Sequence, residues 1–157
     1  MSTLEQTIRN TVQEFIKSYA DATKEKKPHL VSRCCADDCK RHIGPPAFLA
    51  HVGAPPNLTM TNAQYEAEFG ELSLYTITSF KVNNITVDAP NLKAAAWSTL
   101  YCDFIDGSKH DRTHAWFLDF NEDGTKIVEL YQHNDVQEAV DFRNLIQSMK
   151  KARATQD

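Results

Sequence analysis

The feature that most constrains this chain is a change of period near Thr78. Upstream, apolar residues recur at steps of three and four, whereas downstream they alternate with polar ones and β-branched residues become frequent. Helices therefore come first and a meander of strands follows. That order predicts an α+β fold in which helices pack on one face of a curved antiparallel sheet. At 157 residues the chain has the usual size of one domain, spanning 1–157, and needs neither metal nor disulfide to bury a core.

The elements read as follows. Leu4, Ile8, Val12, Phe15, Ile16 and Tyr19 place a first helix over 4–22. After the polar run 23–27, Pro28 opens a short second helix carrying Leu30, Val31 and Cys34 and ending near Ala36. The segment 39–43 is a brief strand that stops at Gly44-Pro45-Pro46. With four prolines, 45–60 reads as irregular and as a pocket lid, its Phe48, Leu49, Val52 and Leu58 packing on something. Thr61 or Asn62 caps a third helix presenting Tyr65, Phe69, Leu72 and Tyr75. Strands follow near 79–88, 92–105, 109–120 and 125–134, joined at Pro90-Asn91, Asp106-Gly107 and Glu122-Asp123-Gly124. A last amphipathic helix carries Val136, Val140, Phe142, Leu145, Ile146 and Met149, with a charged tail expected to fray.

Composition removes several function classes. A net charge of −4 and a pI near 5.8 offer no basic surplus for nucleic acid or anionic membranes. The first residues lack the apolar run of a signal peptide, and no stretch approaches the ~18 apolar residues of a membrane span, so a cytoplasmic protein is expected. Three of the four cysteines, Cys34, Cys35 and Cys39, have neither zinc-ligand nor disulfide-framework spacing and read as small packing residues. No glycine-rich phosphate loop, HExxH or nucleophile elbow occurs, and no cofactor or metal is expected.

Strand parity nominates a pocket. In 109–120, His110, Arg112, His114, Trp116, Leu118 and Phe120 share a face that mixes imidazoles and an indole with pure hydrophobes. His110 lies beside a hairpin and reads as exposed. His114 lies deeper, as a pocket group or a satisfied core histidine. The same parity argument groups Trp97, Thr99, Tyr101 and Asp103 on the preceding strand, and Glu129, Tyr131, His133 and Asp135 on the last. A carboxylate in an apolar cavity would have a raised pKa and could exchange a proton near neutrality, which makes Asp103 and Glu129 of interest. Arg41 and His42 are neighbours on one strand, so only one of them points inward.

The run DCKRHIGPPAFL, followed by TNAQYEAEF, FKV, NEDGTKIV and a late helix, resembles the fungal SnoaL-like group of the NTF2-like superfamily over most of the chain. The resemblance implies a cone in which a curved sheet is wrapped by N-terminal helices, with an extra C-terminal helix. It also implies a homodimer packed through the outer sheet face, and cofactor-free acid–base chemistry. Ala63 and Gln64 stand where relatives carry an acid before Tyr65, so no glutamate role transfers.

The expected function is thus an isomerase or cyclase acting on a polycyclic polyketide or meroterpenoid intermediate of fungal secondary metabolism. His114 or His42 would be the base, with Arg41, Tyr101 or Tyr131 at the oxyanion and Asp103 a further catalytic candidate. Trp116, Trp97, Phe120, Tyr131, His133, Glu129, Tyr65 and Phe69 would line the substrate site. A dehydratase on the same fold, or a non-catalytic domain binding a small ligand or protein, are the alternatives.

Overall fold

A computed structural model describes residues 1–156. Helix α1 (Thr3–Glu25) starts at Ser2, whose side chain accepts the Glu5 N–H at 3.0 Å, and ends at Lys26 in the left-handed region. Its buried stripe, Ile8, Val12, Phe15, Ile16 and Tyr19, lies on the inner face of the sheet, where Phe15 meets Trp116 edge-on at 5.0 Å. The helix is tied to the sheet at one close approach. Thr11 Oγ1 donates to the Gly124 carbonyl at 2.8 Å, and Gly124 has φ 74° with Ile8 Cγ1 only 2.8 Å from where a Cβ would stand. Glycine is needed there on both counts.

The sheet comprises β1 (Cys35–Gly44), β2 (Thr59–Met60), β3 (Tyr75–Asp88), β4 (Lys93–Phe104), β5 (Lys109–Phe120) and β6 (Ile127–Asn134). Their spatial order is β2-β1-β6-β5-β4-β3, antiparallel except where β1 runs parallel to β6. Bulges interrupt β1 between Cys35 and Lys40, β3 twice, and the β5–β6 ladder at Phe120. Bulges increase local twist and curl the sheet into a trough. Helix α4 (Val136–Ala154), capped by Asp135, closes the open side: Phe142 packs edge-on against Tyr75 at 4.9 Å and near Phe104 at 5.1 Å.

Four local expectations change. Residues 28–36 hold only a 3-10 turn, Pro28–Ser32, because the Cys34 carbonyl is taken by the Ile127 N–H as β1 begins at Cys35, earlier than the segment 39–43 suggests. The proline-rich segment contains a short helix, α2 (Pro46–His51), whose Pro46 occupies the first helical turn and needs no N–H there. Helix α3 (Asn62–Glu68) has the capping box Thr61/Gln64 but stops before Gly70, so Tyr75 opens β3 instead of extending the helix. The charged tail stays helical to Ala154, and Arg153 Nη1 donates to Ser73 Oγ at 3.1 Å. Among the described residues, no helix is long and apolar enough to cross a membrane.

Candidate active site

A cavity of about 350 Å³ lies between the inner sheet face and the helices. Its helical side carries Phe48, Leu49 and Val52 of α2, Tyr65, Glu68 and Phe69 in and just after α3, and Ala139, Phe142, Arg143, Ile146, Gln147 and Lys150 of α4. The sheet side has a polar patch of its own. Alternate residues of β5 and β6 bring Arg112, His114, Gln132 and Asn134 onto one wall, flanked by Leu100 and Cys102 of β4. An apolar chamber with a compact polar patch is the usual composition of a small-molecule site, and the volume is in the usual range.

Cross-strand register explains the patch. His114 pairs with Asn134 and Trp116 with Gln132, so four side chains of one face meet in two rungs. Arg112 Nη2 donates to Asn134 Oδ1 at 3.0 Å, Gln132 Nε2 donates to the same oxygen at 3.3 Å, and Asn134 Nδ2 donates to the Gly44 carbonyl at 2.8 Å. The Arg112 guanidinium also lies 4.7 Å above the Phe142 ring. His114 rests on Trp116, ring centroids 5.0 Å apart, and Trp116 Nε1 donates to Ser98 Oγ at 2.8 Å.

Two buried polar atoms have no protein partner among the described residues: His114 Nδ1 and Gln132 Oε1. Both residues line the cavity. Burial, and secondarily the Arg112 charge, hold His114 well below its ordinary pKa against a smaller opposing effect of Asn134. The imidazole is therefore neutral at physiological pH.

A second polar cluster lies beneath the wall and meets the cavity through Tyr19 and Tyr65. Arg41 is fully buried, its Nη2 donating to the Val31 carbonyl and to Ser32 Oγ, both at 3.0 Å, and its guanidinium 4.3 Å from the Tyr65 ring centroid. Its Nη1 lies 3.5 Å from Tyr19 Oη, and Tyr19 in turn donates to Tyr65 Oη at 3.0 Å. Burial keeps Tyr19 far above its ordinary pKa, and the Tyr65 and Arg41 charges act secondarily in opposite senses. The Tyr65 hydroxyl accepts from Tyr19, so its own proton is available to the cavity it lines.

Three solved structures share this fold. BvnE pinacolase from Penicillium brevicompactum superposes with a TM-score of 0.69 at 16% identity, over 94% of this chain and 96% of that one. PrhC from Penicillium brasilianum NBRC 6234 gives 0.73 at 12% identity, over 94% and 93%. A ketosteroid isomerase-like fold from Catenulispora acidiphila DSM 44928, in complex with trimethylamine, gives 0.55 at 12%, over 80% and 88%. The fold is the NTF2-like cone. No family model matches the sequence, and no curated protein does.

The cone sorts the residues nominated from sequence into two sets. His114, Tyr65 and Phe69 line the cavity, Trp116 and Phe120 lie in the core on the same face, and Arg41 lies under the wall. The others are on the far side of the sheet. In β4 the inward set is Ala94, Ala96, Ser98, Leu100, Cys102 and Phe104, so Trp97, Tyr101 and Asp103 face out, and Asp103 pairs with Lys109 at 3.1 Å. In β6 the inward set is Leu130, Gln132 and Asn134, which turns Glu129, Tyr131 and His133 outward. His42 also faces out, bonded to Glu129 at 2.7 Å and Thr59 at 2.9 Å and stacked on Tyr131 at 4.4 Å. That bond to His42 holds the Glu129 carboxyl below its usual range, the opposite of a poised acid.

Arg112 was legible on the inward face of β5 but carried no assigned role, Tyr19 was read only as part of the helical stripe, and Gln132 and Asn134 escaped notice. For β4 the signal was the run of Ala, Ser, Leu, Cys and Phe at even positions, the more apolar set. The bulk of Trp97 and Tyr101 masks it.

Proposed function

We propose that this chain is a cofactor-independent isomerase or cyclase that moves a proton at a carbon next to a carbonyl, with His114 as the proton carrier. The observation that carries the reading is the buried, unpartnered His114 Nδ1 on the wall of a 350 Å³ apolar cavity. A neutral imidazole accepts the α-proton, the C–H electron pair moves into a carbon–carbon double bond, and the carbonyl oxygen becomes an enolate. Arg112, one N–H of which is used on Asn134, has further donors for that oxygen. Imidazolium then returns the proton at a different carbon, which isomerises the substrate. Alternatively the enolate carbon attacks an electrophilic carbon, closing a ring, and imidazolium protonates the oxygen that gains charge.

The substrate class inferred is a polycyclic polyketide or meroterpenoid intermediate of fungal secondary metabolism. Support comes from the predominantly apolar lining and from likeness to two Penicillium proteins, one named as a pinacolase. A pinacol-type rearrangement and an enolisation both depend on proton transfer to or from the substrate, which a positioned acid–base group supplies.

The test is deuterium uptake by 2-tetralone in D2O, followed by mass spectrometry. Wild-type protein should accelerate exchange over buffer and His114→Gln should lose it by about 100-fold or more, while equal rates in the two would overturn the assignment. A second reading, ligand binding without catalysis, is favoured by the cavity's only carboxylates among the described residues being Glu68, which is exposed, and Glu71, which is paired with Lys150 at 2.9 Å. Saturable 2-tetralone binding without exchange would select it.

We also infer a homodimer through the outer sheet face. Trp97 is 53% exposed, Phe117 54% and Tyr131 46%, and Phe117 and Tyr131 are direct cross-strand partners. Several large aromatics on one sheet face form an apolar patch of the kind that marks an interface.

A further inference from the structure

The orientation of Gln132 is fixed by groups that can only donate or only accept. Arg112 has only donors, so the Asn134 atom facing it is the oxygen. The Asn134 nitrogen then faces the Gly44 carbonyl, which only accepts, at 2.8 Å. Gln132 must therefore present its nitrogen to Asn134 Oδ1, because the flipped amide would set oxygen against oxygen. Its carbonyl, Gln132 Oε1, is left in a residue only 6% exposed with no donor among the described residues. A buried acceptor left without a donor is destabilising, so a residue whose apolar isostere would avoid that cost is explained by what it binds.

We infer that Gln132 is a specificity residue that recognises a free hydroxyl on the substrate, and that this hydroxyl and a carbonyl flank the carbon facing His114. The inference rests on the cavity being the substrate site, as proposed above. On the wall, His114 lies between Arg112 and Trp116 along β5, and Gln132 sits opposite Trp116. Arg112 and Gln132 thus meet at Asn134, the cross-strand partner of His114, one with donors to spare and the other with a free acceptor. The ligand that satisfies both is a ring system carrying a β-hydroxy ketone, or the enol of a 1,3-diketone. Its carbonyl takes the Arg112 donors, its hydroxyl hydrogen goes to Gln132 Oε1, and the carbon between them meets the imidazole. An ether or a hydrocarbon of the same shape leaves Gln132 unanswered.

The experiment measures dissociation constants by NMR titration for 2-naphthol and for its isostere 2-methylnaphthalene. Wild-type protein should prefer the naphthol at least tenfold beyond any preference retained by Gln132→Leu. Gln132→Met serves as a second apolar variant, and thermal unfolding of both checks that they fold. An unchanged naphthol preference in the folded variants would overturn the inference. The readout is independent of turnover. If the preference collapses on mutation but His114→Gln exchanges deuterium normally, the catalytic reading fails and the hydroxyl site stands. The reverse pattern sinks the hydroxyl site alone.

Discussion

Trp116 Nε1 donates to Ser98 Oγ at 2.8 Å across the β4–β5 ladder, and both residues are buried. The indole is thereby pinned with its ring against His114, so it supports the cavity wall without lining it. Ser98→Ala strands a buried N–H, and unfolding in urea should show a loss of about 1–3 kcal/mol. Ser98→Thr, which keeps the hydroxyl, should lose less unless the added methyl overpacks the inner face.

The depressed His114 pKa has a consequence for acid stability. Because the folded group titrates below its unfolded value near 6.5, its contribution is fully present above that pH. As pH falls below it, the unfolded chain takes up a proton that the folded chain refuses, and stability drops towards the folded pKa. Between pH 6.5 and 5 the wild type should therefore lose more stability than His114→Gln does. Denaturant midpoints at the two pH values check this, and parallel losses in both proteins would count against it.

Gly124→Ala should be among the more damaging single-methyl additions. The position has φ 74°, and the new Cβ would approach Ile8 Cγ1 at 2.8 Å. Left-handed strain and displacement of α1 together should cost about 1–3 kcal/mol by thermal or chemical unfolding.

Outer-face changes should separate assembly from chemistry. Phe117→Lys places a charge in the aromatic patch beside Tyr131 and should shift sedimentation towards monomer, while cavity binding of 2-naphthol stays within about twofold.

His42→Ala removes a half-exposed contact with Glu129 and Thr59 on the face away from the cavity. Stability should fall by less than about 1 kcal/mol, as for other exposed ion pairs. Deuterium exchange should remain near the wild-type rate.

Much of the architecture was written in local pattern. The helical stripe from Leu4 to Tyr19, the switch to alternation after Thr78 and the Asp106-Gly107 turn depend on neighbours a few residues apart, and the structure follows them. The inward face of β5 was also readable, since Trp116, Leu118 and Phe120 share it. The facing of β4 and β6 was not. Alternation defines two sets without saying which is inside, and in these strands the chemically rich set, Trp97, Tyr101, Glu129, Tyr131 and His133, faces away from the cavity. Gln132 and Asn134 become meaningful only through their registers with Trp116 and His114, which join strands across a turn with a bulge.

The polar wall has a direction. Arg112 and Gln132 both donate into Asn134, which passes its own N–H to Gly44, while the walls built from α2 and α4 at Phe48, Leu49, Val52, Phe142 and Ile146 are hydrocarbon. A ligand anchored at this patch is held by the strands at its polar end. Mirror-image molecules anchored at the same two atoms would point their ring systems in opposite senses, one towards the helices and one into the strands. A ligand held at both atoms would thus be told from its mirror image at the binding step, and of a racemic hydroxy ketone one enantiomer should bind more tightly.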